Sequence, residues 1–189
     1  MAADIAALDL TDDEYRVVQS LIRNKYEASN SDGELVLKGK QKMFKLKEEF
    51  PFVDADGNPA FTVKAGGVLD FSGDYALIDD ETDETVVVLE HQFTLFVDKW
   101  ALRDPDTGNR IAEIASKSKV VSLLRAVHDL FSLIPHEYEI TDDDGRHVGA
   151  IEGQFSLKDK YDVTIDDAAT VPKEAVVAAA MVVDAIEGN

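Results

Sequence analysis

The chain has 189 residues, long enough for one domain with a substantial core and short for two. Its 38 acidic residues against 19 Lys and Arg give a formal charge of −19, which sets it against nucleic acid and anionic membranes at low ionic strength. The lack of cysteine excludes disulfides, thiolate metal sites and cysteine nucleophiles.

Such a surplus of carboxylates suits a halophilic, high-salt cytoplasm, where the Debye length falls to about 3 Å at 1 M and neighbouring carboxylates stop repelling one another. The chain opens MAADIAALDLTDDEYR, with neither a basic start nor a long apolar core, so it does not read as a signal peptide. The longest apolar run, Ala175 to Val183, is nine residues, far from the roughly 20 that span a bilayer. A cytoplasmic protein is expected.

Residues 11–28 begin with Thr11 and Glu14 at capping-box spacing, and Tyr15, Val18, Ile22 and Tyr26 fall on one helical face. The spacing predicts an amphipathic helix, which with a linker makes an N-terminal segment 1–34. Next comes LKGKQKMFKLK, which holds Lys38, Lys40, Lys42, Lys45 and Lys47, five of the thirteen lysines. On a strand Lys38, Lys40 and Lys42 share one face, until Phe44 and Leu46 take over the even positions and imply a bulge or turn near Met43. Two readings stand: a strand edge protected by lysines, or a patch for an anion such as a phosphate or lipid headgroup.

A phrase then repeats. QKMFKLKEEFPFVDADG from Gln41, LDFSGDYALIDDETDE from Leu69, QFTLFVDKWALRDPDTG from Gln92 and QFSLKDKYDVTIDD from Gln154 share a Phe-x-Leu or Leu-x-Phe, a polar break and a strand-opening aromatic. With the YEI stretch, those aromatics are Phe50, Tyr75, Trp100, Tyr138 and Tyr161, and four residues after each of the first four stands Asp54, Asp79, Asp104 or Asp142. Aspartate bonds back to its own backbone in turns, and Gly57, Gly108 and Gly145 supply the positive φ of a tight hairpin. The alternating segments that follow make each unit a β-hairpin, and several hairpins in series favour an antiparallel meander that closes or sandwiches.

The same turns invite a calcium reading, but loop position six is Pro59 or Asn109 and position twelve Ala65 or Ala115, where an EF-hand needs Gly and Glu. His91, His128, His136 and His147 form no ligand pair at i, i+4. There is no nucleophile elbow, phosphate-cradling glycine loop or dinucleotide fingerprint. No catalytic residue, metal site or cofactor is therefore assigned, and a non-enzymatic protein is expected.

VVSLLRAVHDLFSLIP, from Val120 to Pro135, stretches one repeat spacing and reads as an apolar helix stopped by proline. Its apolar residues exceed one buried face. The excess around Leu123, Leu124, Val127 and Phe131 could cap a barrel mouth, join a second subunit, or meet a membrane surface beside Lys117, Lys119 and Arg125. The last element, from Pro172 to Glu187, is apolar on every side over about 24 Å and must be enclosed on every side. Ala175, Ala178, Ala179, Ala180 and Ala185 keep it thin enough to thread a closed sheet, although a place between a sheet and another helix satisfies the pattern equally.

The ordered phrases Gln41-Phe44-Leu46, FxVxDxxGxxxFxV from Phe50 to Val63, VLDFSGDYALID, YEITDDDGRHVGAI, QFSLKDKYDVTI and the final apolar helix resemble the LURP-one-related family. That family is similar to the tubby C-terminal domain and the phospholipid scramblases. The resemblance covers Leu35 to Asn189 and implies a mainly β fold with helices: a closed antiparallel barrel of about twelve strands around a central hydrophobic C-terminal helix, here with an inserted helix at 120–135. The tubby domain's phosphoinositide binding through surface lysines and arginines carries over to no particular position, since this chain has only six arginines. The expected function is a binding module for an anionic lipid, a small anion, another amphiphilic ligand or a protein partner, near the lysine strand or the inserted helix. The rivals are a homo-oligomerising structural protein and a small-ligand carrier or enzyme with a site at the barrel mouth.

Overall fold

Twelve strands, each hydrogen-bonded on both sides, make the sheet; in some, buried and exposed side chains alternate, and in others consecutive residues are buried. In the computed structural model, which describes residues 5–20, 25–40, 49–66, 74–92, 99–117, 137–154, 160–166 and 171–187, the strands follow one another as a meander. They are β1 (Glu14–Ser20), β2 (Lys25–Asn30), β3 (Leu35–Lys40), β4 (Glu49–Asp54), β5 (Pro59–Ala65) and β6 (Asp74–Asp79). The second half comprises β7 (Thr85–Gln92), β8 (Lys99–Arg103), β9 (Arg110–Ser116), β10 (Glu137–Asp142), β11 (His147–Gln154) and β12 (Lys160–Ile165). Every neighbouring pair is antiparallel, and β1 closes the sheet by pairing with both β2 and β12. Closure leaves no free sheet edge.

The expected helix at 11–28 is wrong: Glu14–Ser20 and Lys25–Asn30 are strands of the barrel. Tyr15, Val17, Tyr26 and Ala28 are buried while Glu14, Arg16, Lys25 and Glu27 are exposed, which is a period of two. The i, i+3, i+4 spacing of Tyr15, Val18, Ile22 and Tyr26 joins two strands across a connection. Ladder bonds to β12 and β3 reward the extended form, and local propensity yields to them. The inserted helix at 120–135 lies outside the described residues.

One helix, α1 (Lys173–Glu187), follows β12. All ten residues from Glu174 to Val183 are buried, from 0% to 7% exposed, so no face of this stretch meets water. Within a closed sheet only the lumen offers that enclosure, and the helix is the barrel's core. Small side chains allow it: Ala175, Ala178 and Ala179 are fully buried, with Val176, Val177 and Val182 filling the spaces between them and the inward residues of the strands.

The repeated aromatics form a ring around that lumen. Tyr26, Phe50, Tyr75, Trp100, Tyr138 and Tyr161 each occupy the second position of an even-numbered strand, at one end of the barrel. Phe50 meets Tyr75 edge-on at 6.4 Å between ring centroids, Tyr75 meets Trp100 at 5.9 Å, and His91 stacks on Trp100 at 4.3 Å.

The opposite end carries the tight turns. Asn30, Asp54, Asp79, Asp104 and Asp142 all stand four residues after their ring aromatic and accept hydrogen bonds from the turn that follows. Four of these turns use glycine at positive φ, at Gly33, Gly57, Gly108 and Gly145. In the β6–β7 turn Asp83 takes that conformation instead, with φ 59°, a place aspartate tolerates better than most side chains.

Candidate functional site

The meander sorts charge between the barrel's two ends. Eight lysines are described, and six of them, Lys25, Lys40, Lys64, Lys99, Lys117 and Lys160, sit at or within a residue of a strand terminus on the aromatic-ring side. The turn side carries Asp32, Glu34, Asp54, Asp56, the run Asp79 to Glu84, Asp104, Asp106 and Asp142 to Asp144. A protein with a formal charge of −19 thus has one rim where lysines gather, while Arg103, Arg110 and Arg146 stand at the turn end.

Three of those six lysines have nearby counter-charges. Lys99 pairs with Glu113 at 2.7 Å and Lys117 with Glu152 at 3.5 Å, while Lys64 stands opposite Glu49 in the β4–β5 ladder. Lys25 differs in having another lysine, Lys40, as its ladder partner on β3. Like charges placed directly opposite are destabilising, so an anion added at this rung lowers the energy.

Of the five lysines singled out in sequence, Lys38 has a structural task. Its half-buried side chain donates from Nζ to the Ala55 carbonyl at 2.9 Å, and Glu27 is its ladder partner. Between Lys38 and Lys40 the inward position is Gly39, because the Phe52 ring, stacked on Phe61 at 4.4 Å, fills the space a side chain would need. Lys40 ends β3 opposite Lys25. Lys42, Lys45 and Lys47 lie outside the described residues, as do Leu123, Leu124, Val127 and Phe131 of the inserted segment. Lys25 was missed in sequence because fifteen residues separate it from Lys40, and the signal that finds it is the reading of YEASNSDGE as one more aromatic-plus-four turn.

The aspartates at the other rim are turn-builders. Asp54 accepts from the Asn58 amide nitrogen at 2.8 Å and its side chain at 2.9 Å, and Asp104 accepts from Thr107 N and Oγ1, both at 2.9 Å. These donors, Asn58's side chain and Thr107's backbone amide first, hold both carboxyls below the usual Asp value. Asp142 is buried, which alone would raise its pKa, but the Arg146 backbone amide and guanidinium, each donating at 2.8 Å, outweigh burial and lower it. Oxygens of Asp142, Asp143 and Asp144 cluster within 4.8 Å, and Arg146 bridges the first and last of them.

A pH dependence follows from lowered folded-state values. The stability these carboxylates contribute is fully present above the unfolded Asp value of 3.8 and is lost as pH falls through the folded values, where protonation releases the turn donors. Asp142→Asn is expected to melt earlier than the unaltered chain at neutral pH, with the two melting temperatures converging in acid. Parallel curves across that range in a pH series of thermal melts would remove Asp142 from the acid response.

On the outer wall, burial and the Glu90 carboxylate opposite it raise the pKa of Asp74. Arg103 engages Glu90 at 2.8 Å and donates to the Gly108 carbonyl at 3.0 Å, tying the wall to a turn.

A family model described as LURP-one-related matches residues 35–184. Among solved structures, the chain is similar to an X-ray structure of an Arabidopsis thaliana protein, with 11% identity, a TM-score of 0.60, and coverage of 99% of this chain and 98% of that one. At that identity the likeness is one of fold, and it includes the two N-terminal strands that precede the family match. A comparison with curated protein sequences finds no match.

Proposed function

The chain belongs to the LURP-one-related family, and from that premise we propose that it is a non-enzymatic binding module whose lysine rim, centred on Lys25 and Lys40, takes a phosphate-type anion. The observation that carries this reading is the like-charge pair in the β2–β3 ladder of a strongly acidic protein. A phosphate group bound at this like-charge rung offsets its repulsion and adds charge-assisted hydrogen bonds. A binding role is favoured over an enzymatic one because α1 fills the lumen, the place where a barrel would enclose a substrate.

The net charge of −19 does not forbid such a site. At physiological ionic strength the Debye length is about 8 Å, so an anion at the ring-side rim responds to nearby lysines and is screened from the acidic turns at the far end.

The soluble probe is inositol hexakisphosphate and the lipid probe is a vesicle of phosphatidylcholine with an anionic phospholipid. Titration calorimetry and vesicle co-sedimentation are run on the unaltered chain, on Lys25→Glu/Lys40→Glu, and on Lys64→Glu as a control for loss of any rim lysine. The double variant is expected to lose affinity at least tenfold, with Lys64→Glu close to the unaltered chain. Binding to vesicles alone assigns a lipid headgroup, and binding to the soluble probe alone assigns a free phosphate. Equal affinity of the double variant and the unaltered chain overturns the site.

A further inference from the structure

The strongest feature left unused lies at the opposite end of the barrel. Residues 5–13 leave the start of β1 and cross the mouth to the β6–β7 turn, five strands away around the ring. Ala6 donates its backbone N–H to Asp79 Oδ2 at 2.8 Å, and Leu10 donates its own to Glu174 Oε1 at 3.3 Å in the first turn of α1. Lys173 Nζ donates to the carbonyls of Thr11 at 2.9 Å and Asp12 at 2.6 Å and to Asp13 Oδ1 at 3.0 Å. Ile5 and Leu10 are buried in the core, 1% and 8% exposed. Beneath this strap lies the buried hydroxyl of Tyr15, without a hydrogen-bond partner among the described residues.

The charges along this contact oppose it. The strap carries Asp9, Asp12 and Asp13 and no basic residue, and it lands on two further carboxylates, Asp79 and Glu174. Lys173 is the one ammonium that touches it among the described residues. Five carboxylates against one ammonium leave a formal charge of −4 at the closed mouth. Two buried apolar anchors favour closure, together with these five hydrogen bonds, two more from Ser31 N and Oγ to Asp12 Oδ2 and one from the Ile165 amide to the Asp13 carbonyl, and Coulomb repulsion opposes it. Salt weakens the repulsion and leaves the apolar term in place, because the Debye length shrinks from about 10 Å at 0.1 M to about 3 Å at 1 M.

We infer that residues 5–13 are a salt-gated strap: closed over the barrel mouth at high ionic strength, and released at low ionic strength to expose Tyr15, Glu174 and the first turn of α1. The inference is independent of the lysine rim, since it concerns the other end of the barrel and neutral anchors joined to carboxylates.

Amide hydrogen exchange on the full chain, followed by NMR at about 0.1 M and about 1 M sodium chloride, tests it. The Ala6 and Leu10 amides are expected to exchange at least tenfold more slowly at the higher salt, measured relative to Leu89 in the wall. Asp9→Lys, a change at an exposed strap position, is expected to slow their exchange at low salt and flatten the salt dependence. A second measurement uses the cysteine-free background: the thiol of Leu10→Cys is expected to be labelled quickly at low salt and slowly at high salt. Strap amides that ignore salt, or that change only in step with Leu89, overturn the inference. So does an Asp9→Lys chain with the unaltered low-salt rate.

Discussion

Aspartate in place of Val177 leaves the chain without a cooperative unfolding transition. Val177 is fully buried in the apolar core, next to the buried Val176 and Ala178 on α1, where no water reaches. A carboxylate placed there must ionise without a partner or be protonated without an acceptor, at a cost of several kcal/mol. Domains of this kind have only about 5–15 kcal/mol of net stability, and loss of the packed helix removes much of it. Val177→Ala, which removes two methyl groups and no more, is expected to cost about 2 kcal/mol and keep the fold. The contrast is read from thermal melts followed in the near-ultraviolet, where Trp100, fully buried in the aromatic ring, reports packing. A Val177→Asp chain that melts like the unaltered one would place α1 outside the barrel.

Gly149→Ala is expected to cost about 3 kcal/mol although it adds a single methyl group. In β11 this glycine faces Ile140 on one side and Ile165 on the other, beside the bulge that follows Ile140. A Cβ at 149 would overlap the Thr164 carbonyl oxygen and lie 3.3 Å from Ile165 Cα. Both obstacles are backbone held in ladders on both sides, so neither can turn away as a side chain could. Gly39→Ala provides the comparison. There the methyl would meet the Phe52 ring edge at 2.6 Å, a side chain with some freedom to rotate, and the cost is expected to be smaller. Chemical denaturation of the two variants ranks them, and an equal or reversed order would mean the β11–β12 backbone yields more readily than the packing of Phe52.

Much of the barrel was legible because its repeat is written in local chemistry. The hairpins around Asp54, Asp79, Asp104 and Asp142 could be read from turn residues and alternating strands, and their aspartates do bond back to the turns as that reading requires. The apolar stretch from Ala175 to Val183 demanded complete enclosure, and the helix has it. Reading failed at β1 and β2, where residues from two strands mimic one helical face. Yet Tyr26, Asn30 and Gly33 follow the same aromatic, turn and glycine spacing as the later units. Turn chemistry at Asn30 was the better guide than helical spacing, because the spacing of four residues serves both structures.

The candidate site was half legible. Clustering in sequence identified Lys38 and Lys40 but could not separate them, and the fold gives Lys38 to the Ala55 carbonyl while setting Lys40 against Lys25. The sequence by itself determined the turns, the strand period and the need to bury the last helix, since each depends on neighbours within a few residues. Tertiary structure alone decided that β1 and β2 close the sheet, that lysines collect at one rim, and that Ala6 reaches Asp79 across 73 residues. Those outcomes depend on which strands become neighbours when the meander closes, a property of the whole ring that no short stretch of residues contains.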